Sequence, residues 1–313
     1  MELLEAILPF FSAGIAGAAF ARFTGVNMSM CMLAIYLYMG ARPGEALAAM
    51  LVFNTFSYFT VYTQKKPMNF KSLRFFHGIR IAFPILVTVA LAAINPFFGI
   101  AFFIAVFLVE IFAQFYQELP AKGRPTKETI IKMCVIASVL VALGVVVTLV
   151  IPPQFYYILA GVVVIAYVVL LWFAGDRRKW QNQWDGILYG STFFTGLVGI
   201  DATDWLVPMQ RAKESVLSRL YPVVINVASI VGMIVVYIVY QEFSIGSLFA
   251  LIGASMVIRL FGLNEHSSRG KFSYLALGLA LLGALVFMII QPQPTHLPVI
   301  PVTESNGFFF GNW

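Results

Sequence analysis

The sequence predicts an all-α membrane protein, polytopic and built on an inverted-topology repeat, with about eight transmembrane helices plus two opposed helical hairpins that are re-entrant or tightly bent. Three observations carry that expectation. Of 313 residues, 60% are apolar and only 11% charged, whereas a soluble domain carries about 25% charged residues. The apolar residues fall into runs separated by polar breaks, and the basic residues crowd into some breaks and avoid others. At about 20 residues per span, the apolar chain suffices for roughly eight to ten crossings. No polar stretch reaches the roughly 50 residues of a separate domain. A soluble enzyme, a nucleic-acid reader and a receptor on a single anchor are thereby excluded.

Taken in order, the first run, Leu3 to Phe20, contains Glu5 and lacks a basic leader, so it reads as part of the mature fold and not as a signal peptide. The polar break ARFTGVN separates it from a short run, Val26 to Met39, and the pair forms the first hairpin. Ala46 to Tyr62, Ile79 to Ile94 and Phe98 to Phe115 follow as three spans, and Ile130 to Ile151 and Tyr156 to Phe173 as two more. Gly186 to Ile200 meets the polar turn GIDATDW, after which only about five apolar residues precede Gln210, too few for a span. This is the second hairpin. Leu217 to Tyr240, Ile245 to Phe261 and Phe272 to Ile290 complete the set. All are expected to be helical, because a chain this apolar satisfies its backbone in lipid through helices, and nothing alternates with the period of a membrane barrel.

Eighteen of the 20 Lys and Arg lie in five places, around Lys65 to Arg80, Lys122 to Lys132, Arg177 to Lys179, Arg211 to Arg219 and Arg259 to Lys271. The connections at Asn95, Pro152 and Gln241 and the tail after Gln291 have none. The positive-inside rule makes the first set cytoplasmic and the second external, and the net charge of +6 then reflects topology and not an acidic partner. Two cytoplasmic loops flank the second hairpin, so it leaves and returns on one side. Parity sets the first hairpin on the outside, with both termini outside. The expected organisation is a first repeat over 1–116, a connecting two-span segment over 117–185, a second inverted repeat over 186–290 and an outward-facing tail over 291–313. Opposed hairpins followed by equal numbers of spans are the mark of secondary transporters.

The halves also echo each other in sequence. Thr24-Gly25-Val26-Asn27 at the first break matches Val198-Gly199-Ile200-Asp201 at the second, and Asn54-x-x-Ser57 finds a counterpart in Asn226-x-x-Ser229. An amide and a hydroxyl three residues apart share one helical face.

These motifs carry a resemblance to the sulfite exporter TauE/SafE family of membrane transporters. The stretch from Gly190 through Gly196 and Gly199 to Pro208, with GIDATDWLVP at its centre, resembles the second-repeat motif of that family. Gly17, Gly25 and the following MSMCMLAIYLYMGARPGEALAAM resemble the first. The glycine run that follows the break in the family is replaced here by Asn27-Met28-Ser29 and by Asp201-Ala202-Thr203. The resemblance spans nearly the whole chain and implies transport of sulfite, organosulfonates or related small organic anions.

A short helix that starts after a break aims its free N–H groups and positive dipole end at the cavity the break lines. Such starts are expected near Asn27 and Thr203. Arg22 is costly in a bilayer unless it faces the interior, and its planar fork grips two oxygens of a sulfonate or carboxylate; pairing with an acid or snorkelling to the surface is the alternative. Asp201 and Asp204 oppose an anion if both are ionised. One pairs with Arg22, or one is held protonated by burial, or they bind a coupling cation, or both simply cap hairpin N–H groups. Glu110 lies near a span end and reads as an interhelical hydrogen-bonding residue. Cys31 and Cys134 read as buried small hydrophobes, the three histidines are too scattered for a metal site, and the Trp and Tyr near span ends read as an interfacial belt.

The expected function is therefore a non-enzymatic secondary transporter in the inner or plasma membrane, moving a small organic or sulfur-containing anion by alternating access. Arg22, Asn27, Ser29, Asn54, Ser57, Thr203, Asn226 and Ser229 are the expected substrate contacts, and Asp201 and Asp204 the coupling or orienting acids. The expected partners are the anion, membrane lipid, H+ or Na+ as coupling ion and a second copy of the chain, with no cofactor, metal or nucleic acid. One rival is a cation- or proton-coupled carrier of zwitterions such as taurine or amino acids, with an Asp on the amine and Arg22 on the acid group. Another is an intramembrane enzyme using Asp201 and Asp204 as a carboxylate pair.

Overall fold

A computed structural model describes residues 2–24, 28–39, 41–65, 75, 78–94, 99, 102–103, 105–106, 109–110, 113, 116, 125–173, 184–200, 216–240, 245–261, 275–276, 278–279 and 282–283. Among the described residues the secondary structure is helical, without strands. The chain divides into two compact units, one of Met1–Val61 with Lys127–Trp313 and one of Tyr62–Thr126.

The larger unit begins with α1 (Glu2–Thr24). Its buried residues Phe10, Ala13, Ala18 and Ala21 recur at helical spacing, giving one face to pack inward. The short α2 (Met28–Tyr38) doubles back along it. Gly17 lies against Met32, and the Phe10 and Tyr36 rings stand 6.2 Å apart, so the two helices are antiparallel. With 11 residues α2 is about 16 Å long, well short of the roughly 30 Å hydrocarbon core, and all but two of its residues are buried. The Ala41 N–H reaching back to Tyr36 O closes the helix in the manner of a C-terminal cap.

The next helix, α3 (Pro43–Lys65), starts on a Pro, whose fixed φ suits the first helical position, and Glu45 accepts the Arg42 backbone N–H at 2.9 Å, half of a capping box. Ala46 through Asn54 are buried without interruption. Burial all round makes α3 the central helix: Ala46, Ala49, Met50 and Phe53 join an apolar cluster with α1, α2 and others, while Leu47, Ala48 and Leu51 join a second cluster.

Two helices joined by a tight turn follow the smaller unit, α5 (Lys127–Thr148) and α6 (Pro153–Phe173). Then come α7 (Trp184–Val198), α8 (Val216–Tyr240) and α9 (Ile245–Phe261). Contacts fix their directions. Phe10 meets Gly246, and Gly14 meets Ala250, so α1 and α9 run the same way. Thr148 bonds Tyr240 and Val141 meets Gly232, so α5 and α8 do too. Tyr157, in the first turn of α6, bonds Ala41 O at 3.1 Å, which sets the start of α3 at the end of the unit where α5 and α8 finish. Hence α3 runs opposite to α8.

The smaller unit contains a 3-10 turn (Gly78–Ile81) and α4 (Ala82–Ile94). Phe75 and Phe83 stack at 6.1 Å, Tyr116 donates to Pro125 O at 3.3 Å, and Glu110 is buried.

Among the described residues two helices are long and apolar enough to cross a membrane, within Lys127–Thr148 and Val223–Tyr240. The outer faces are apolar as well. On α5, Ile131, Val135, Val139, Leu143 and Val146 form an exposed stripe, opposite the buried Met133, Ala137, Val141 and Val145. A helix apolar on both faces suits a lipid surround.

Candidate functional site

The central feature is the end of α7. Its last three turns carry Ser191, Thr192 and Thr195, whose hydroxyls bond back to Leu188 O, Tyr189 O and Ser191 O, so these polar groups enter the interior already satisfied. The helix stops because Gly199 adopts φ +80°, a conformation that suits glycine, with its N–H bonded to Thr195 O at 2.8 Å. The stop is seated directly on α3: a Cβ at Gly199 would strike the Met50 side chain and touch Leu47. Only a glycine brings the break this close.

A helix end inside a protein leaves carbonyls that need donors. Two side chains from different helices provide them. Asn54 Nδ2 of α3 donates to Gly199 O at 2.9 Å, and Tyr156 OH of α6 donates to Val198 O at 3.2 Å. All four participants are buried. Asn54 had been read from sequence as a substrate contact; the observed role adds that it holds the break in place.

The opposite wall is α8. Gly232 faces Leu51 of α3, and the two helices are antiparallel. One turn onward along α3 is Asn54, and one turn back along α8 is Ser229, so these two positions are level. A further turn pairs the positions of Ser57 and Asn226. Asn226 and Ser229 are fully buried, and Ser229 Oγ makes no hydrogen bond among the described residues. The two Asn-x-x-Ser motifs therefore meet head to tail.

Of the remaining expected contacts, Ser29 is buried in the first turn of α2, where the helix begins one residue after Asn27 as anticipated. Arg22 is half-buried in the last turn of α1, and its Nη1 is enclosed without a hydrogen-bond partner among the described residues. The Ser57 side chain, Asn27, Asp201, Thr203 and Asp204 lie outside the described residues. The register thus sets Ser229 level with Asn54 at the second break, with Asn226 one turn away along α8. Sequence reasoning missed Tyr156, whose place in a belt of span-end aromatics hid an inward hydroxyl; its position one turn inside an apolar run was the available signal. It also missed Tyr36, whose hydroxyl donates to Ser247 Oγ at 3.1 Å and ties α2 to α9.

Among the described residues no group of three or more His, Cys, Asp or Glu is placed to hold a metal ion. Chemically, the described residues of the site offer the carbonyl end of a helix, two amides and a hydroxyl. No family model, curated protein or solved structure matches the chain.

Proposed function

We propose that the chain is a multi-pass membrane carrier that moves a small organic or sulfur-containing anion by alternating access, with the binding site at its two helix breaks. The observation that carries the reading is the interior stop of α7 at Gly199, held by Asn54 of α3 and facing the level Ser229 of α8. Irregular backbone at membrane depth occurs where it lines a cavity, and broken helices meeting near the midplane are how secondary carriers build their sites. The register supports an inverted repeat. A two-fold axis between antiparallel α3 and α8 exchanges Asn54 with Asn226 and Ser57 with Ser229, and the observed levels have that symmetry. At the other break, the α1–α2 pair doubles back with α2 too short to cross, which fits a hairpin.

The sulfonate and sulfite class comes from the resemblance to the TauE/SafE exporters, and the anion's charge from Arg22, whose enclosed Nη1 has no hydrogen-bond partner among the described residues. The test is uptake by proteoliposomes holding the full chain, offered labelled sulfite, taurine, sulfoacetate and short carboxylates. Saturable uptake of one of them, lost in Arg22→Ala, is the expected result. No saturable signal with any, or full activity in Arg22→Ala, refutes it. Competition between taurine and isethionate, which lacks the amine, separates a plain anion carrier from a zwitterion carrier.

A further inference from the structure

We infer that the end of α7 is a sodium site, with Ser229 Oγ and Asn54 Oδ1 as its side-chain ligands beside the carbonyls that close the helix. The C-terminal end of a helix carries about half a negative charge, so this stop attracts a cation and repels an anion. That disposition is awkward for a site meant only for a sulfonate and natural for one that takes a cation first. Asn54 uses its Nδ2 on Gly199 O, which turns its amide oxygen away from that carbonyl. Ser229 supplies the second observation. Its side chain is fully buried and its hydroxyl makes no hydrogen bond among the described residues, although a buried serine on a helix ordinarily satisfies itself on a carbonyl one turn back. An unmet hydroxyl costs about 1–3 kcal/mol, and a cation at the stop removes that cost.

The ligand types select the ion. Amide, hydroxyl and backbone oxygens are hard and neutral, which suits a monovalent cation, whereas a calcium site collects carboxylates and a transition-metal site prefers nitrogen or sulfur. A bound sodium also places a full positive charge at the meeting point of α3, α7 and α8, where an anion arriving in a low-dielectric interior needs one. As a coupling site it rests on the carrier reading; as a binding site it stands without it.

The full chain in detergent, heated in about 0.2 M NaCl and in about 0.2 M KCl, is expected to unfold about 3 °C or more higher in sodium. Ser229→Ala is expected to weaken the apparent sodium affinity at least tenfold. Should that variant fail to fold, the near-isosteric Ser229→Cys, which exchanges a hard oxygen for a soft sulfur, is expected to do the same. Equal midpoints in the two salts, or a sodium shift untouched by either variant, overturn the site. Proteoliposome uptake with and without an inward sodium gradient distinguishes the two readings. Saturable anion uptake indifferent to sodium overturns the coupling role and leaves the carrier, while a sodium shift without uptake of any anion supports the site and refutes the carrier.

Discussion

Replacing Asn54 with Ala tests the architecture most directly. The substitution removes the donor at 2.9 Å from Gly199 O and leaves that carbonyl buried beside Met50 and Leu47. An unsatisfied buried acceptor costs about 1–3 kcal/mol in a water-soluble core. Side-chain hydrogen bonds measured inside membrane proteins average only about 0.6 kcal/mol and reach about 1.7, because the unfolded chain in a bilayer also finds partners. Gly199 O is buried at a helix stop, where carbonyls depend on partners from outside the helix, so the upper part of the membrane range applies, about 1–2 kcal/mol. For a chain of this size that is a fall of about 2–6 °C in the unfolding midpoint. Asn54→Leu is the sharper variant, since a side chain of similar size that cannot donate keeps the packing and removes the bond; it should leave the Gly199 carbonyl equally unsatisfied. The assay is denaturation in mixed micelles, run as a double-mutant cycle with Gly199→Ala, which moves the same carbonyl by straining a φ of +80°. A coupling energy of about 0.5 kcal/mol or more is expected. If Asn54→Ala stays within about 0.5 kcal/mol of the parent and the two substitutions are additive, the side chain does not hold the break and the reasoning fails.

Other expectations follow from the same contacts. Gly14→Ala and Gly196→Ala should each destabilise by about 1–3 kcal/mol in the same assay, because the added methyl meets the Ala250 and Val141 carbonyls and the helices must part to admit it; Gly190→Ala, with nothing within 4 Å, should be neutral or gain up to about 1 kcal/mol of helix propensity. Tyr36→Phe should cost about 0.5–1.5 kcal/mol through the lost bond to Ser247, and Ser247→Ala should add little to it in the double variant. In a background without Cys31 and Cys134, mercury should bridge Asn54→Cys to Ser229→Cys readily and Asn54→Cys to Asn226→Cys poorly, as judged by protection from thiol labelling. The reverse preference would contradict the α3–α8 register.

Much of the helical layout was legible in the sequence, because the cue was gross: long apolar runs with polar breaks, and a bilayer or a core makes the same demand on each. The break at Gly199 was legible from a glycine followed by the polar turn, and the facing of the two Asn-x-x-Ser motifs from their occurrence in both halves. What each amide does was not legible. Asn54 could have faced a ligand or a backbone carbonyl, and only the approach of α7 to Met50 decides that it takes the carbonyl. Tyr156 and Tyr36 were hidden for a related reason. A tyrosine near a span end serves equally well at a lipid headgroup or on a neighbouring helix, since its ring is content in either place, and the distinction depends on which way the helix is turned. The glycines were ambiguous too: Gly14 and Gly196 lie on a backbone-to-backbone contact while Gly190 touches nothing, and all three look alike in the sequence.

Those contacts bear on how a carrier of this build would move. A Cβ at Gly14 would meet the carbonyl of Ala250, three residues before Gly253, and one at Gly253 would meet the carbonyl of Phe11, three residues before Gly14. The same reciprocal arrangement joins Gly196 and Gly144 through Val141 and Phe193. In lipid, apolar burial gives helices no drive to associate, and close backbone approach with weak Cα–H···O contacts takes its place. Each helix that leads into a break, α1 and α7, is thus clamped along its length to a partner, α9 and α5. Under the proposed inverted repeat α9 would match α4, so the two clamps would be alike in chemistry and separate in origin. Any rocking of one break against the other therefore carries α9 along with α1 and α5 along with α7, because the alternative is to part helices whose backbones already touch.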